Sequence, residues 1–106
     1  MAHTYKNSKV DLTATSVTTV YTVPTGATSI VKSILVSDDS GSGDTITLTI
    51  TNGSDVFSLF KTKTITANGT SELLAAPLVL TAGEILKATA ATANRLHIVC
   101  SYLEIT

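Results

Sequence analysis

"DTITLTITNG", residues 44–53, alternates threonine with aliphatic side chains: Thr45, Thr47, Thr49 and Thr51 against Ile46, Leu48 and Ile50. A strict period of two sends the two sets to opposite faces of a strand. The aliphatic set belongs in a core. Threonine, β-branched and stiff at its first side-chain torsion, suits the other side of a pleated surface. The stretch therefore predicts a half-buried strand, closed by the turn signal in "TNGSD".

Segments of the same kind lie on both sides of it, separated by Gly, Pro, Asn and Asp. Upstream, "SVTTVYTV" (16–23) stops at Pro24-Thr25-Gly26, where proline pre-sets a turn and glycine permits positive φ. "SIVKSILVS" (29–37) carries Ile30, Ile34 and Val36 on one alternate set and Val31 and Leu35 on the other. Apolar residues on both faces predict a strand near the middle of the domain, or one covered on its second face by a neighbour. "DDSGSGD" (38–44) reads as a mobile hairpin loop. Downstream, "VFSLFKTKTIT" (56–66) runs into Ala67-Asn68-Gly69, a hairpin turn signal. In "SELLAAPLVL" (71–80), Pro77 cannot donate a ladder hydrogen bond, which implies a sheet edge or a bulge. "RLHIVCSYLEIT" (95–106) places Leu96, Ile98, Cys100 and Tyr102 on one face.

One segment competes for a helix. Thr81-Ala82-Gly83-Glu84 matches a capping box, and "EILKATAATA" after it is rich in alanine. Gly83 is poor in a first helical turn, and a short glycine turn would join the flanking strands as a meander, so a strand is preferred. The sum is seven or eight strands in an all-β fold. We expect a single antiparallel β-sandwich over residues 11–106, of jelly-roll or other Greek-key topology, with residues 1–10 as an N-terminal arm or edge strand.

Composition narrows the functions. Charged residues make up 14% of the 106 residues, well below the usual quarter, and threonine (20) and serine (11) fill the gap. With a net charge of -1 and no basic cluster denser than Lys61 and Lys63, nucleic acid is not an expected partner. No apolar run is long enough for a helical membrane span, and "MAHTYKNSKV" lacks the apolar segment of a secretory signal, so no membrane partner is expected. The single cysteine, Cys100, has no internal disulfide partner and falls on a face expected to be buried, where a packed inert thiol is the default.

Catalytic patterns are missing. His3 and His97 have no paired ligand at zinc-site spacing, and His97, beside Arg95 and Val99 on its face, suits a surface or inter-subunit role. Asp38, Asp39, Asp44 and Asp55 do not follow the calcium-loop spacing and read as solvated turn formers. Glu72, Glu84 and Glu104 fall on different strands, and no nucleophile elbow or phosphate loop occurs. We expect no enzyme, no cofactor and no metal. A glycan is kept as an alternative partner, because small β-sandwiches often bind glycans on aromatic platforms, here drawn from Tyr5, Tyr21, Tyr102, Phe57 and Phe60.

A threonine face can be wetted, and it can be covered without desolvating a charge. Exposed strand edges normally carry charge to block pairing, and this chain carries little. We therefore expect a homo-oligomer. "YTVPTGATSIVKSILVSDDSGSGDTITLTITNG" (21–53), with the later "SELLAAPLVLTAGEILKATAATANRLHIVCSYLEI", resembles a family of small β-sandwich virion proteins of tailed bacteriophages. Val23-Pro24-Thr25-Gly26 and Leu80-Thr81-Ala82-Gly83-Glu84 carry the resemblance, which spans roughly residues 17–105. It implies a virion subunit made in the bacterial host. Foremost is a decoration or cement protein, commonly trimeric, that clamps the major capsid protein on the outer lattice. A tail, neck or fibre-associated adaptor is the second placement. Tyr5, Lys6, Phe57 and Phe60 are the candidate partner or subunit contacts.

Overall fold

The computed structural model describes residues 2–106; residue 1 of the expected N-terminal segment lies outside the described residues. Nine strands follow one another: β1 (His3–Asp11), β2 (Thr18–Thr22), β3 (Thr28–Asp38), β4 (Asp44–Asn52), β5 (Asp55–Ile65), β6 (Thr70–Glu72), β7 (Leu78–Leu80), β8 (Ile85–Ala90) and β9 (Leu96–Ile105). One sheet has the order β1-β9-β3-β6, with β7 also on β3, and the other is β2-β8-β4-β5. We call them the β9 sheet and the β8 sheet.

The strand count exceeds the expected seven or eight because one edge strand is broken. β6 pairs with Leu35–Ser37 and β7 with Ser29–Val31, on the same side of β3. Pro77 lies in the break, at a sheet edge, where its missing N–H interrupts no ladder. The Glu72 carboxylate fills part of the gap, accepting Ile34 N–H at 2.8 Å, Leu74 N–H at 3.2 Å and the Ser33 hydroxyl. With β6 and β7 counted as one, the local pairs are β1 with β9, β2 with β8, β3 with β6/β7 and β4 with β5. These are the rungs of one long antiparallel ribbon whose tip is the β4–β5 hairpin. Wound so that its halves fall in two facing sheets, that ribbon is a jelly roll.

The fold class is thus the expected all-β sandwich, with its topology resolved. In β4 the aliphatic set is buried (Ile46 0%, Leu48 0%, Ile50 9%) and every threonine is half-exposed. Across the core stand Ile34 and Val36 from β3 and Leu96, Ile98, Cys100 and Tyr102 from β9, whose alternation is unbroken over ten residues. Each large aliphatic side chain sealed this way contributes about 1.5–3 kcal/mol.

Several connections differ from expectation. β3 and β4 belong to different sheets, so residues 39–43 cross between sheets rather than form a hairpin. Nor is the crossing loose. Buried Asp38 accepts Ser40 N–H and the Ser40 hydroxyl at 2.9 and 2.6 Å on one oxygen, and Gly43 and Asn68 N–H at 2.5 and 3.3 Å on the other. Ala67-Asn68-Gly69 does turn, with Asn68 at φ 55° and Gly69 N–H on Thr66 C=O, but it too crosses between sheets. Likewise β7 and β8 are not a meander. The capping-box residues make a tight turn instead: Glu84 N–H bonds Thr81 C=O at 3.1 Å, Gly83 takes φ 84°, and the Glu84 carboxylate accepts Thr81 N–H at 2.6 Å. The strand preferred over a helix follows at Ile85–Ala90.

β3 also corrects the reading of its two apolar faces. A register shift between Val31 and Ser33 makes Lys32 a bulge and changes the phase of the strand. Val31, Ile34 and Val36 consequently all point inward, while Ile30 and Leu35 point outward. β3 is nevertheless central, paired on both sides.

Candidate functional site

The two outward faces of the sandwich are chemically different. Directly opposed residues of an antiparallel pair share a face, so the registers read as rows. On the β9 sheet, Tyr5, Leu103, Ile30 and Val79 form one row across four strands. A second row runs Lys9, Val99, Leu35 and Glu72, and Ile105 stands next to the first. Tyr5, Val79 and Leu35 are 75%, 57% and 39% exposed, and Ile30, Val99, Leu103 and Ile105 are half-buried. On the β8 sheet the rows are Thr19, Lys87, Thr49, Ser58 and Thr22, Ile85, Thr51, Val56, with Thr47 against Thr89 and Thr45 against Thr64. One outer face carries an aliphatic row, set off from Val99 and Leu35 by the polar row of Asn7, Ser101 and Ser33; the other is largely threonine.

The aliphatic face is completed by β1, and a buried polar cluster ties that strand down. Glu104 continues the inward parity of β9 and is 6% exposed. Its carboxylate accepts the Tyr21 hydroxyl at 2.7 Å and Lys6 Nζ at 2.9 Å. The Tyr21 oxygen also lies 2.5 Å from the Ser29 hydroxyl, and its ring stacks on Tyr102 with centroids 3.9 Å apart. The cluster joins β1, β2, β3 and β9. The Tyr21 hydroxyl, then Lys6, hold the Glu104 carboxyl below its ordinary value, while desolvation foremost pushes the Tyr21 phenol up. Glu104 keeps its charge here because each oxygen has a donor.

The four candidate contact residues do not come together. Tyr5 lies exposed on the aliphatic face, whereas Lys6, on the opposite side of β1, is engaged with Glu104. Phe57 is 56% exposed on β5, at the edge of the other sheet, and Phe60 packs against the core opposite Leu48. Tyr21 and Tyr102 are buried, so the described aromatics form no shared platform. Two shallow recesses line β1 instead. One, of about 430 Å³, is bounded by Tyr5, Asn7, Lys32 and Ser101, and the other, of about 350 Å³, by Lys9, Asp11, His97 and Val99.

His97 is half-exposed on the outer face, with Nε2 3.2 Å from Asp11 Oδ1. Cys100 is sealed in the core, and desolvation pushes its thiol up to about 12, far from a nucleophile's range. Asp38 is used by the crossing loop and the Asn68 turn, where the Ser40 hydroxyl and N–H, then the Gly43 and Asn68 N–H groups, hold its carboxyl down to about 2, and Asp44 accepts Thr92 N–H at 2.8 Å. Among the described residues no three His, Cys, Asp or Glu side chains converge as a metal site. Also among them, no helix is long and apolar enough to cross a membrane.

No protein-family model matches the chain, and no curated protein is significantly similar to it. Solved structures are similar to it, two of them phage proteins. Both are crystal structures of a pentameric capsid protein isolated from metagenomic phage sequences, one of them solved by iodide SAD phasing. Each is 21% identical to this chain with a TM-score of 0.45, and each match covers 92% of it. The chain spans 59% and 66% of the length of those two proteins.

Proposed function

We propose that this protein is a non-enzymatic structural subunit of a tailed-phage particle, specifically a decoration or cement protein that binds the major capsid protein on the outer lattice. The observation that carries the reading is the asymmetry of the two outer faces. A row of Tyr5, Leu103, Ile30 and Val79, with Ile105 beside it, is the kind of contiguous apolar surface that marks a protein contact, and Val99 and Leu35 lie on the same face beyond the polar row of Asn7, Ser101 and Ser33. The threonine face opposite suits the solvent side of a particle. It is polar without being charged, and it keeps β4 from presenting a second sticky surface. The turn and strand pattern of residues 17–105 supports the same assignment.

The mechanism is mass action. A subunit that binds only the assembled shell adds its binding free energy to the shell's stability. Many small apolar contacts, repeated by lattice symmetry, supply it, with Tyr5 as the exposed aromatic anchor. Co-sedimentation of the purified protein with capsids of its phage tests the reading. Saturable binding, together with an increased thermal stability of the shell, is expected. No binding to capsids, or saturable binding to an oligosaccharide instead, would replace it with an adhesion module.

A further inference from the structure

Each sheet of a jelly roll has two edge strands, and three of the four here are blunted. β2 is five residues long with a register shift between Thr19 and Tyr21. β5 has two register shifts, a residue at φ 50° (Thr62) and Lys61 and Lys63. β6 and β7 are three residues each, on either side of the break that holds Pro77. These are the devices by which natural sheets avoid edge-to-edge pairing. β1 is neither short, broken nor bulged, and of its two lysines Lys6 is held by Glu104. It is nine residues without Pro, Gly or bulge, in one register with β9 from His3 to Asp11.

The geometry fixes which of its backbone groups are free. Ala2 and Thr106 exchange both N–H to O bonds, at 3.1 and 2.9 Å, and at the far end Leu12 N–H bonds Leu96 C=O. Even-numbered residues of β1 therefore face β9. The N–H and C=O groups of His3, Tyr5, Asn7, Lys9 and Asp11, all exposed residues, turn outward along the open edge.

We propose that this edge pairs with β1 of a second copy of the chain, antiparallel, about a two-fold axis at Asn7. Two identical strands can pair this way only if residues of equal parity stand opposite, since both must turn their backbone groups toward the partner. That leaves three central registers. Centred on Lys6, the pair puts Lys6 against itself and His3 against Lys9; centred on Ser8, it loses the first residues of the strand. Centred on Asn7, it uses the whole strand, and its side chains are complementary. His3 stands opposite Asp11 of the second copy, Tyr5 opposite Lys9, Asn7 opposite Asn7 and Lys6 opposite Ser8. No like charges meet. Asp11 C=O already accepts Thr13 N–H at 3.0 Å, so the firm part of the ladder is Tyr5–Asn7–Lys9.

The axis stands perpendicular to the sheet, so the two β9 sheets join into one and their aliphatic faces point the same way. The strand pair rests on the edge alone. Its consequence, a doubled face bound to a shell with the avidity of two linked sites, rests on the proposed function. A two-fold pair departs from the trimer that the family resemblance implies.

Light scattering on the purified chain is expected to give twice the 11.0 kDa chain mass. Asn7→Cys is expected to form a disulfide-linked dimer on mild oxidation, because hydrogen-bonded opposite residues lie about 5.5 Å apart at Cα. Thr49→Cys, on the threonine face, is not, and buried Cys100 does not interfere in either. Tyr5→Lys places like charges opposite each other twice across the axis and should raise the dimer dissociation constant about tenfold. Adding Lys9→Glu should restore it. A monomer or trimer mass, Asn7→Cys cross-linking no faster than Thr49→Cys, or a dimer indifferent to Tyr5→Lys would each overturn the proposal. A dimer that ignores capsids would overturn the proposed function and leave the strand pair standing.

Discussion

Glu104→Gln isolates what the buried carboxylate does for the fold. The amide keeps the shape and can still accept the Tyr21 hydroxyl, which in the wild type lies 2.7 Å from Oε2. It forfeits the charge. A hydrogen bond to an ionised acceptor contributes about 1.5–3 kcal/mol, against about 1 kcal/mol for a neutral one, so the loss at Tyr21 is about 1–2 kcal/mol. Lys6 adds little to that figure, because its side chain is 47% exposed and can return to water. For a domain of this size the loss corresponds to a fall of roughly 5–10 °C in Tm at neutral pH. The pH dependence has a definite sign. The folded state holds the Glu104 carboxyl below its unfolded value, so its stabilisation is complete above the unfolded value and disappears as pH falls through the folded one. Wild type and variant should therefore converge in acid. Thermal unfolding followed by circular dichroism across this range measures both effects. Equal Tm values at neutral pH, or a gap that widens on acidification, would refute the reasoning.

Other perturbations test the rest of the framework. Leu48→Ala, at a fully buried position on β4, should cost about 2–5 kcal/mol by denaturant unfolding, whereas Thr49→Ala beside it should stay within about 0.5 kcal/mol. Gly43→Ala should destabilise by about 1–2 kcal/mol or more. Its φ is 75°, and the added methyl carbon would lie 3.1 Å from the Ile65 carbonyl oxygen. Cys100 should resist alkylation in the folded protein and react quantitatively once denaturant is added, as read by mass spectrometry.

How much of this was legible varies with the range of the interaction that decides it. β4 could be read residue by residue, because its period of two is uninterrupted and its faces differ in chemistry. The same holds for β9, and Glu104 was within reach too: it continues the parity of Leu96, Ile98, Cys100 and Tyr102, which marks it as an inward carboxylate in need of donors. Its donors, Tyr21 and Lys6, come from strands far away in sequence and were not deducible. Turn positions at Pro24-Thr25-Gly26, Asn68-Gly69 and Thr81–Glu84 followed from local chemistry. Whether each turn returned to its own sheet or crossed to the other did not, since that depends on long-range pairing such as β3 with β9. The Lys32 bulge had no local signature, and without it Ile30 and Leu35 could not be assigned to one outer face. The aliphatic surface was hidden for the same reason. Tyr5, Leu103, Ile30 and Val79 are neighbours only in the folded register.

The most direct test of that surface compares two charge insertions in capsid co-sedimentation: Leu103→Asp on the aliphatic face and Thr49→Asp on the threonine face. Both positions are half-exposed on outer faces, so both variants should fold. Loss of shell binding by Leu103→Asp with full binding by Thr49→Asp is the expected result. The reverse pattern, or equal binding by both, would contradict the assignment of the β9 sheet as the contact face.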